Sequence, residues 1–133
     1  MNSLAARWAH LRAVLYDLDG TLIDSAQDLG CAANAMRVHR GLAPLPLAQY
    51  RPHAGSGARG MLRQAFDLAP GESRYEDFKH EFLDRYEAVM FASTEPFAGI
   101  EAELAVLSAA GMSWGIVTNK SERFALPLTT ALR

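Results

Sequence analysis

Three carboxylates fall within the segment Tyr16 to Ser25, YDLDGTLIDS: Asp17, Asp19 and Asp24, directly behind the apolar run Ala13-Val14-Leu15. Burying one unpaired carboxylate is costly, and burying two side by side is worse unless a cation or a shared proton offsets the repulsion. Two readings fit. The segment is a solvated turn, for which Asp and Gly are favoured, or it is a metal site. In an extended segment residues i and i+2 point the same way, so Asp17 and Asp19 are expected to face one pocket just past a strand end, with Gly20 letting the backbone turn. Two hard oxygen donors there suit Mg2+, which is held by one or two carboxylates, several waters and substrate phosphate.

Other residues that carry chemistry give weaker signals. Gly55-Ser56-Gly57-Ala58-Arg59-Gly60 has the spacing of the dinucleotide fingerprint, whose physics needs a buried strand immediately before it. Tyr50-Arg51-Pro52-His53-Ala54 is no such strand, and the dinucleotide reading is set aside. His10, His39, His53 and His80 show no ligand spacing and are expected at the surface. The single cysteine, Cys31, forms no intrachain disulfide, and a reducing cytoplasm fits best.

The elements that must position these residues follow from periodicity. Ala13 to Leu18 and Ser113 to Thr118 are short apolar runs ending in polar residues, which suits buried parallel strands. Ser25-Ala26-Gln27-Asp28 reads as a capping box opening a helix that ends near Gly41, with Leu29, Ala33 and Met36 on one face. A second helix is expected from Ala58 to Phe66, and a third carries Phe78, Phe82, Tyr86 and Val89 on one stripe. Ile100, Leu104 and Leu107 define a fourth that stops at Gly111, and a fifth is expected over Glu122 to Leu132. Leu4, Trp8 and Leu11 offer one helical face in a short leader without a signal-peptide pattern.

Asp17 and Thr118 stand far apart in sequence, whereas a plain crossover between parallel strands needs about a dozen residues. The expected organisation is therefore a core segment over 1–25, a small all-helical unit over 26–93 and a second core segment over 94–133. Such a unit would sit over the carboxyl ends of the strands, where open parallel sheets bind ligands. With half of its 133 residues apolar and a net charge of -2, the chain fits one globular domain without a basic field for nucleic acid or an anionic membrane. No apolar run approaches the roughly 18 residues of a membrane span.

The string D-L-D-G-T-L-I-D-S behind an apolar strand resembles the first motif of the haloacid dehalogenase superfamily of phosphohydrolases. Gly115-Ile116-Val117-Thr118-Asn119-Lys120 is similar to its second motif, and the intervening length to its helical cap type. The segments GLAPLP, GSGARGML and TNKSERFALPL resemble those of bacterial phosphoglycolate phosphatases and of N-acetylmuramic acid 6-phosphate phosphatases, without deciding between them. The resemblance implies an α/β fold, a haloacid dehalogenase-like Rossmannoid core with an inserted all-helical cap, acting on a small phosphorylated metabolite. It implies Asp17 as nucleophile, Asp19 as acid and base, and Thr118 with Gly20 and Asn119 as phosphoryl donors. It further implies Mg2+ on the Asp17 side chain and the Asp19 carbonyl, and Arg59 as a reader of the substrate's far end. Lys120 is a weaker candidate for the phosphate, and Asp24 is expected to be structural.

Family members carry two further motifs, a Lys and a pair of acids, beyond the second strand. The sequence stops at Arg133 before either. The core is accordingly expected to be incomplete, with about two parallel strands, a metal short of ligands, and uncovered edges through which copies self-associate. A capped phosphatase, a non-catalytic remnant of one, and a phosphotransferase of the sugar-phosphate mutase kind all remain open at this point.

Overall fold

The structure is a computed structural model describing residues 9–131. Of the expected leader face, Leu4 and Trp8 lie outside the described residues, and Leu11 lies in no helix. Strand β1 (Ala13–Tyr16) pairs in parallel with β4 (Ser113–Ile116), in register from Ala13 opposite Ser113 to Tyr16 opposite Ile116. Between them a short antiparallel ribbon joins β2 (Ile23–Asp24) to β3 (Glu95–Pro96). The chain enters the helical insert from one strand of this ribbon and returns through the other.

The insert holds helices α1 (Ala26–His39), α2 (Gly57–Phe66) and α3 (Tyr75–Val89), with the 3-10 turns Leu47–Gln49 and Arg51–Ser56 between α1 and α2. Its core takes up the expected stripes in part: Leu29, Ala33 and Met36 of α1 and Phe82 and Tyr86 of α3 are buried with Met61 and Leu62 of α2, while Phe78 and Val89 are only partly buried. Two glycines are required by close approach. A Cβ on Gly60 would stand 2.6 Å from the His53 carbonyl oxygen, and one on Gly30 would stand 2.9 Å from the Tyr50 ring. Helices α4 (Ile100–Ala109) and α5 (Glu122–Thr130) flank β4 in sequence. Phe124 of α5 packs against Tyr86 with ring centroids 5.3 Å apart, which joins the second core segment to the helical insert.

Two expectations fail. Ser25 and Asp28 form no capping box: Ser25 has no side-chain bond to the helix, and Asp28 is buried, accepting hydrogen bonds from the Ser93 N–H at 2.9 Å and the Thr94 hydroxyl at 2.7 Å. Both side chains, themselves buried, are claimed by tertiary partners, where hydrogen bonds count for more than at a solvated helix end. The strands are also not the doubly covered ones that their composition suggests. Leu15 is 67% and Val117 63% exposed, because among the described residues β1 and β4 have only each other as sheet neighbours.

The Arg40 guanidinium grips Glu81 through two hydrogen bonds of 2.9 Å and lies 4.2 Å from the centre of the Phe78 ring. That pairing, with help from Arg85, holds the Glu81 carboxyl below its usual range. A carboxyl held low in the fold adds stability above its unfolded pKa of about 4.3, and this is lost as pH falls through the folded value. Glu81→Gln is therefore expected to cost about 1 kcal/mol near neutral pH. In urea titrations the cost should shrink as pH falls through the lowered folded value, below which wild type and variant both carry no charge at this position.

Candidate active site

Val117 N–H donates to the Tyr16 carbonyl at 2.8 Å, so Asp17 and Thr118 leave the paired strands at the same end. A tight turn follows β1: the Leu18 carbonyl accepts from the N–H groups of Thr21, Leu22 and Ile23, and Gly20 adopts φ +81°. A side chain is strained at that φ, which accounts for glycine there. The turn carries the Asp19 side chain inward, where the residue is 5% exposed.

Asp19 is surrounded by donors. Its Oδ1 accepts from the Ser25 hydroxyl at 2.5 Å and lies 3.1 Å from Lys120 Nζ. Lys120 Nζ donates in turn to Tyr86 Oη at 2.8 Å and sits 4.4 Å from the centre of the Tyr86 ring. The buried carboxylate is thus paired and hydrogen-bonded, as burial of charge demands. Burial pushes the Lys120 ammonium below its usual pKa, against the pull of Asp19. Burial likewise pushes the Tyr86 phenol far up, reinforced by the charges of Asp19 and Asp28, so Tyr86 stays neutral and donates or accepts without charge.

This cluster floors a cleft of about 330 Å³ between the core turns and the helical insert. Asp19, Asn119 and Lys120 line its core side, and Ser56, Arg59 and Lys79 line the opposite one. Asn119 also donates to the Gly55 carbonyl at 3.2 Å, tying the two sides together. Of the residues singled out in the sequence, Asp19, Arg59, Asn119 and Lys120 meet in this cleft. Asp17, Gly20 and Thr118 lie outside its wall. Asp17 is exposed and takes the Leu18 N–H at 2.8 Å, while the Thr118 hydroxyl takes the Lys120 N–H at 3.1 Å. Asp17 and Asp19 therefore do not line one cleft as expected: β1 ends at Tyr16, and the turn at Leu18 replaces the alternation of an extended chain.

The G-x-G-x-x-G string is preceded by a 3-10 turn rather than a strand and opens α2. Asp24 forms an exposed ion pair with Arg51 at 2.8 Å, at the approach to α1. Three participants escaped sequence reasoning. Ser25 was assigned to a helix cap, Tyr86 to a core stripe, and Lys79 stands beside that stripe; only its place next to Phe78 offered a signal. For a cation, the oxygens left over by the fold are the second carboxylate oxygen of Asp17 and the main-chain carbonyl of Asp19. Among the described residues no three His, Cys, Asp or Glu side chains gather as a ready-made metal cage.

Comparison with known proteins agrees with this architecture. Among curated relatives, the N-acetylmuramic acid 6-phosphate phosphatase of Pseudomonas aeruginosa is 42% identical over 122 residues, covering 92% of this chain and 54% of that protein. The phosphoglycolate phosphatase of Xanthomonas campestris pv. campestris is 49% identical over 114 residues, covering 86% and 51% respectively. Among solved structures, a predicted phosphoglycolate phosphatase from Haemophilus somnus superposes with TM-score 0.77 at 25% identity, covering 91% of this chain and 57% of that one. Protein Tyrosine Kinase A of Mycobacterium tuberculosis superposes with TM-score 0.74 at 30% identity, covering 91% and 54%. The chain spans about half the length of the relatives it matches. The sequence pattern described as haloacid dehalogenase-like hydrolase matches residues 14–132, from β1 through the second motif to the end of α5. With parallel strands that deliver an aspartate and a threonine to one end, and a helical cap inserted between them, the chain belongs to the haloacid dehalogenase-like hydrolases.

Proposed function

We propose that this chain forms the nucleophile half and the cap of a phosphomonoester hydrolase that works through an aspartyl-phosphate. Residues 26–93 act as the cap between core segments 1–25 and 94–133. The observation that carries the reading is the Asp19–Lys120–Tyr86 cluster, a buried and fully partnered carboxylate two residues from an exposed one at the end of a parallel strand pair.

An Asp17 carboxylate oxygen attacks phosphorus while the bond to the ester oxygen breaks, and the departing alkoxide takes a proton from Asp19, which must enter this step as the carboxylic acid, having taken up a proton and given up its charge pairing with Lys120. Water then attacks phosphorus, returning a proton to Asp19 and releasing phosphate with Asp17 regenerated. Thr118 and Asn119 supply hydrogen-bond donors to the phosphoryl oxygens, where negative charge concentrates, whereas the Gly20 N–H is already given to the Ile23 carbonyl at 3.0 Å. Lys120 holds Asp19 in place and adds positive charge to the phosphate end of the cleft. The Asp17 carboxylate and the Asp19 carbonyl are hard oxygen donors that fit Mg2+, which when bound would neutralise charge on the nucleophile and the phosphoryl group. Arg59, at the start of α2, meets the non-phosphate end of the substrate. The chemistry suits a cytoplasmic metabolite, and no helix among the described residues is long and apolar enough to cross a membrane. The net charge of -2 offers no broad basic field for nucleic acid, which disfavours it as a partner. The exposed Leu15 and Val117 leave an apolar strand pair that the rest of a protein of the relatives' length, or a second copy of this chain, would cover.

Phosphoglycolate and N-acetylmuramic acid 6-phosphate are the substrates to assay first, with and without Mg2+, in a protein that carries this segment at the full length of its relatives. Release of phosphate from one of them and retention of none on the product supports hydrolysis. Transfer to a second substrate hydroxyl would identify a mutase instead, and no turnover of any phosphomonoester would overturn the proposal. Arg59→Ala is expected to lower kcat/KM for the preferred metabolite by about tenfold or more while changing that for an aryl phosphate by less than about threefold. Equal losses on both would make Arg59 a structural residue.

A further inference from the structure

Four of the eight Lys and Arg side chains on the helical insert are ion-paired. Arg40 and Arg85 share Glu81, Arg51 pairs with Asp24, and Arg63 pairs with Asp67. Arg59 and Lys79, on the cleft wall, have no ion pair or hydrogen bond among the described residues. The one carboxylate lining the cleft, Asp19, is already paired with Lys120. After that pair is discounted, the cleft keeps two uncompensated positive charges, on neighbouring helices and opposite the core. Asn119 and Lys120 line the same cleft, so it runs unbroken from the phosphate end to these two cations.

Resting on the phosphatase reading above, we propose that Lys79 is a specificity-determining residue that joins Arg59 in binding a second anionic group of the substrate, a carboxylate. A substrate neutral beyond its phosphate would leave both cations in a narrowing cleft without a counter-ion, which costs solvation. A carboxylate would accept charge-assisted hydrogen bonds from both, and Arg59 can present two parallel donors to it. The cleft volume of about 330 Å³ admits a small metabolite with both groups. Lys79 is half-buried, so its ammonium is screened less by solvent than one on an open surface.

The test compares two probes with the same phosphate, ethyl phosphate and phosphoglycolate, by calorimetric titration in Mg2+ buffer of a protein that carries this segment at the full length of its relatives, with Asp17→Asn throughout so that neither probe is consumed. The carboxylate is expected to strengthen binding by about tenfold or more. Lys79→Gln should erase most of that preference while leaving ethyl phosphate affinity within about twofold, and Lys79→Arg should preserve it. Circular dichroism melting of Lys79→Gln should match wild type, since the side chain makes no hydrogen bond. A wild-type preference near one, or a preference unchanged in Lys79→Gln, would overturn the proposal with the phosphate reading intact. Failure of both probes to bind would instead overturn the phosphate reading, and this proposal with it.

Discussion

Asp17→Asn is expected to lower phosphate release by more than about a thousandfold and to remove the acid-labile phosphoprotein that should form on mixing with substrate. The amide keeps the shape of the carboxylate but is a far poorer nucleophile. The fold should survive, because Asp17 is exposed and its hydrogen bond from the Leu18 N–H can be accepted equally by the Asn side-chain oxygen. The measurement is single-turnover phosphate release in a protein carrying this segment at its relatives' full length, with acid-quenched phosphoprotein counted alongside. Release at the wild-type rate would remove Asp17 from the chemistry.

Lys120→Met is the substitution with the largest expected effect on stability. It strips the partner from a carboxylate whose side chain is only 4% exposed, and breaking such a pair from one side costs about 3–5 kcal/mol. That is a large share of the roughly 5–15 kcal/mol by which small domains hold together. Adding Asp19→Asn should restore much of the loss, because the amide can be buried against Ser25 without a counter-charge. Urea denaturation of both single variants and the double variant checks this, and an additive double variant would show that the pair is not coupled. The pH dependence has a definite sign. Burial lowers the Lys120 pKa, so the folded state releases its proton before the unfolded state does. Wild-type stability therefore gains from Lys120 as pH rises from its lowered folded value toward the ordinary value of about 10.4, and Lys120→Met lacks that gain. Tyrosine ionisation in the unfolded chain acts in the opposite sense above about pH 10, since burial keeps the Tyr86 phenol protonated.

What could be read in advance was what local spacing determines. The stripe of Phe82 and Tyr86 placed α3, and the clustered prolines and Gly41 placed the breaks. Asp19, Arg59, Asn119 and Lys120 were singled out from motif positions and meet in one cleft. What escaped depends on contacts between distant segments. Ser25 satisfies a local capping pattern, yet its hydroxyl turns to Asp19, and Asp28 turns to residues 65 and 66 positions away. Tyr86 looks like any apolar stripe position because its hydroxyl partner, Lys120, is 34 residues distant. Beyond its place next to Phe78, Lys79 carries no pattern, since an unpaired cation is defined by its surroundings.

The small ribbon between β2 and β3 also sets the order in which the chain can assemble. Pairing β1 with β4 directly requires closing the 100 positions from Ala13 to Ser113. Once the helices have collapsed on one another and Ile23 has met Pro96, only the ten positions from Ala13 to Ile23 and the seventeen from Pro96 to Ser113 remain to be closed. Loop-closure entropy grows logarithmically with length, so this shortcut lowers the cost of joining the strands by about 1 kcal/mol. The helical insert can form its contacts locally and early, while the parallel pair is long-range and late. The strands that lead to Asp17 and Thr118 are thus expected to be the last part of the chain to come together, and by the same reasoning the first to part.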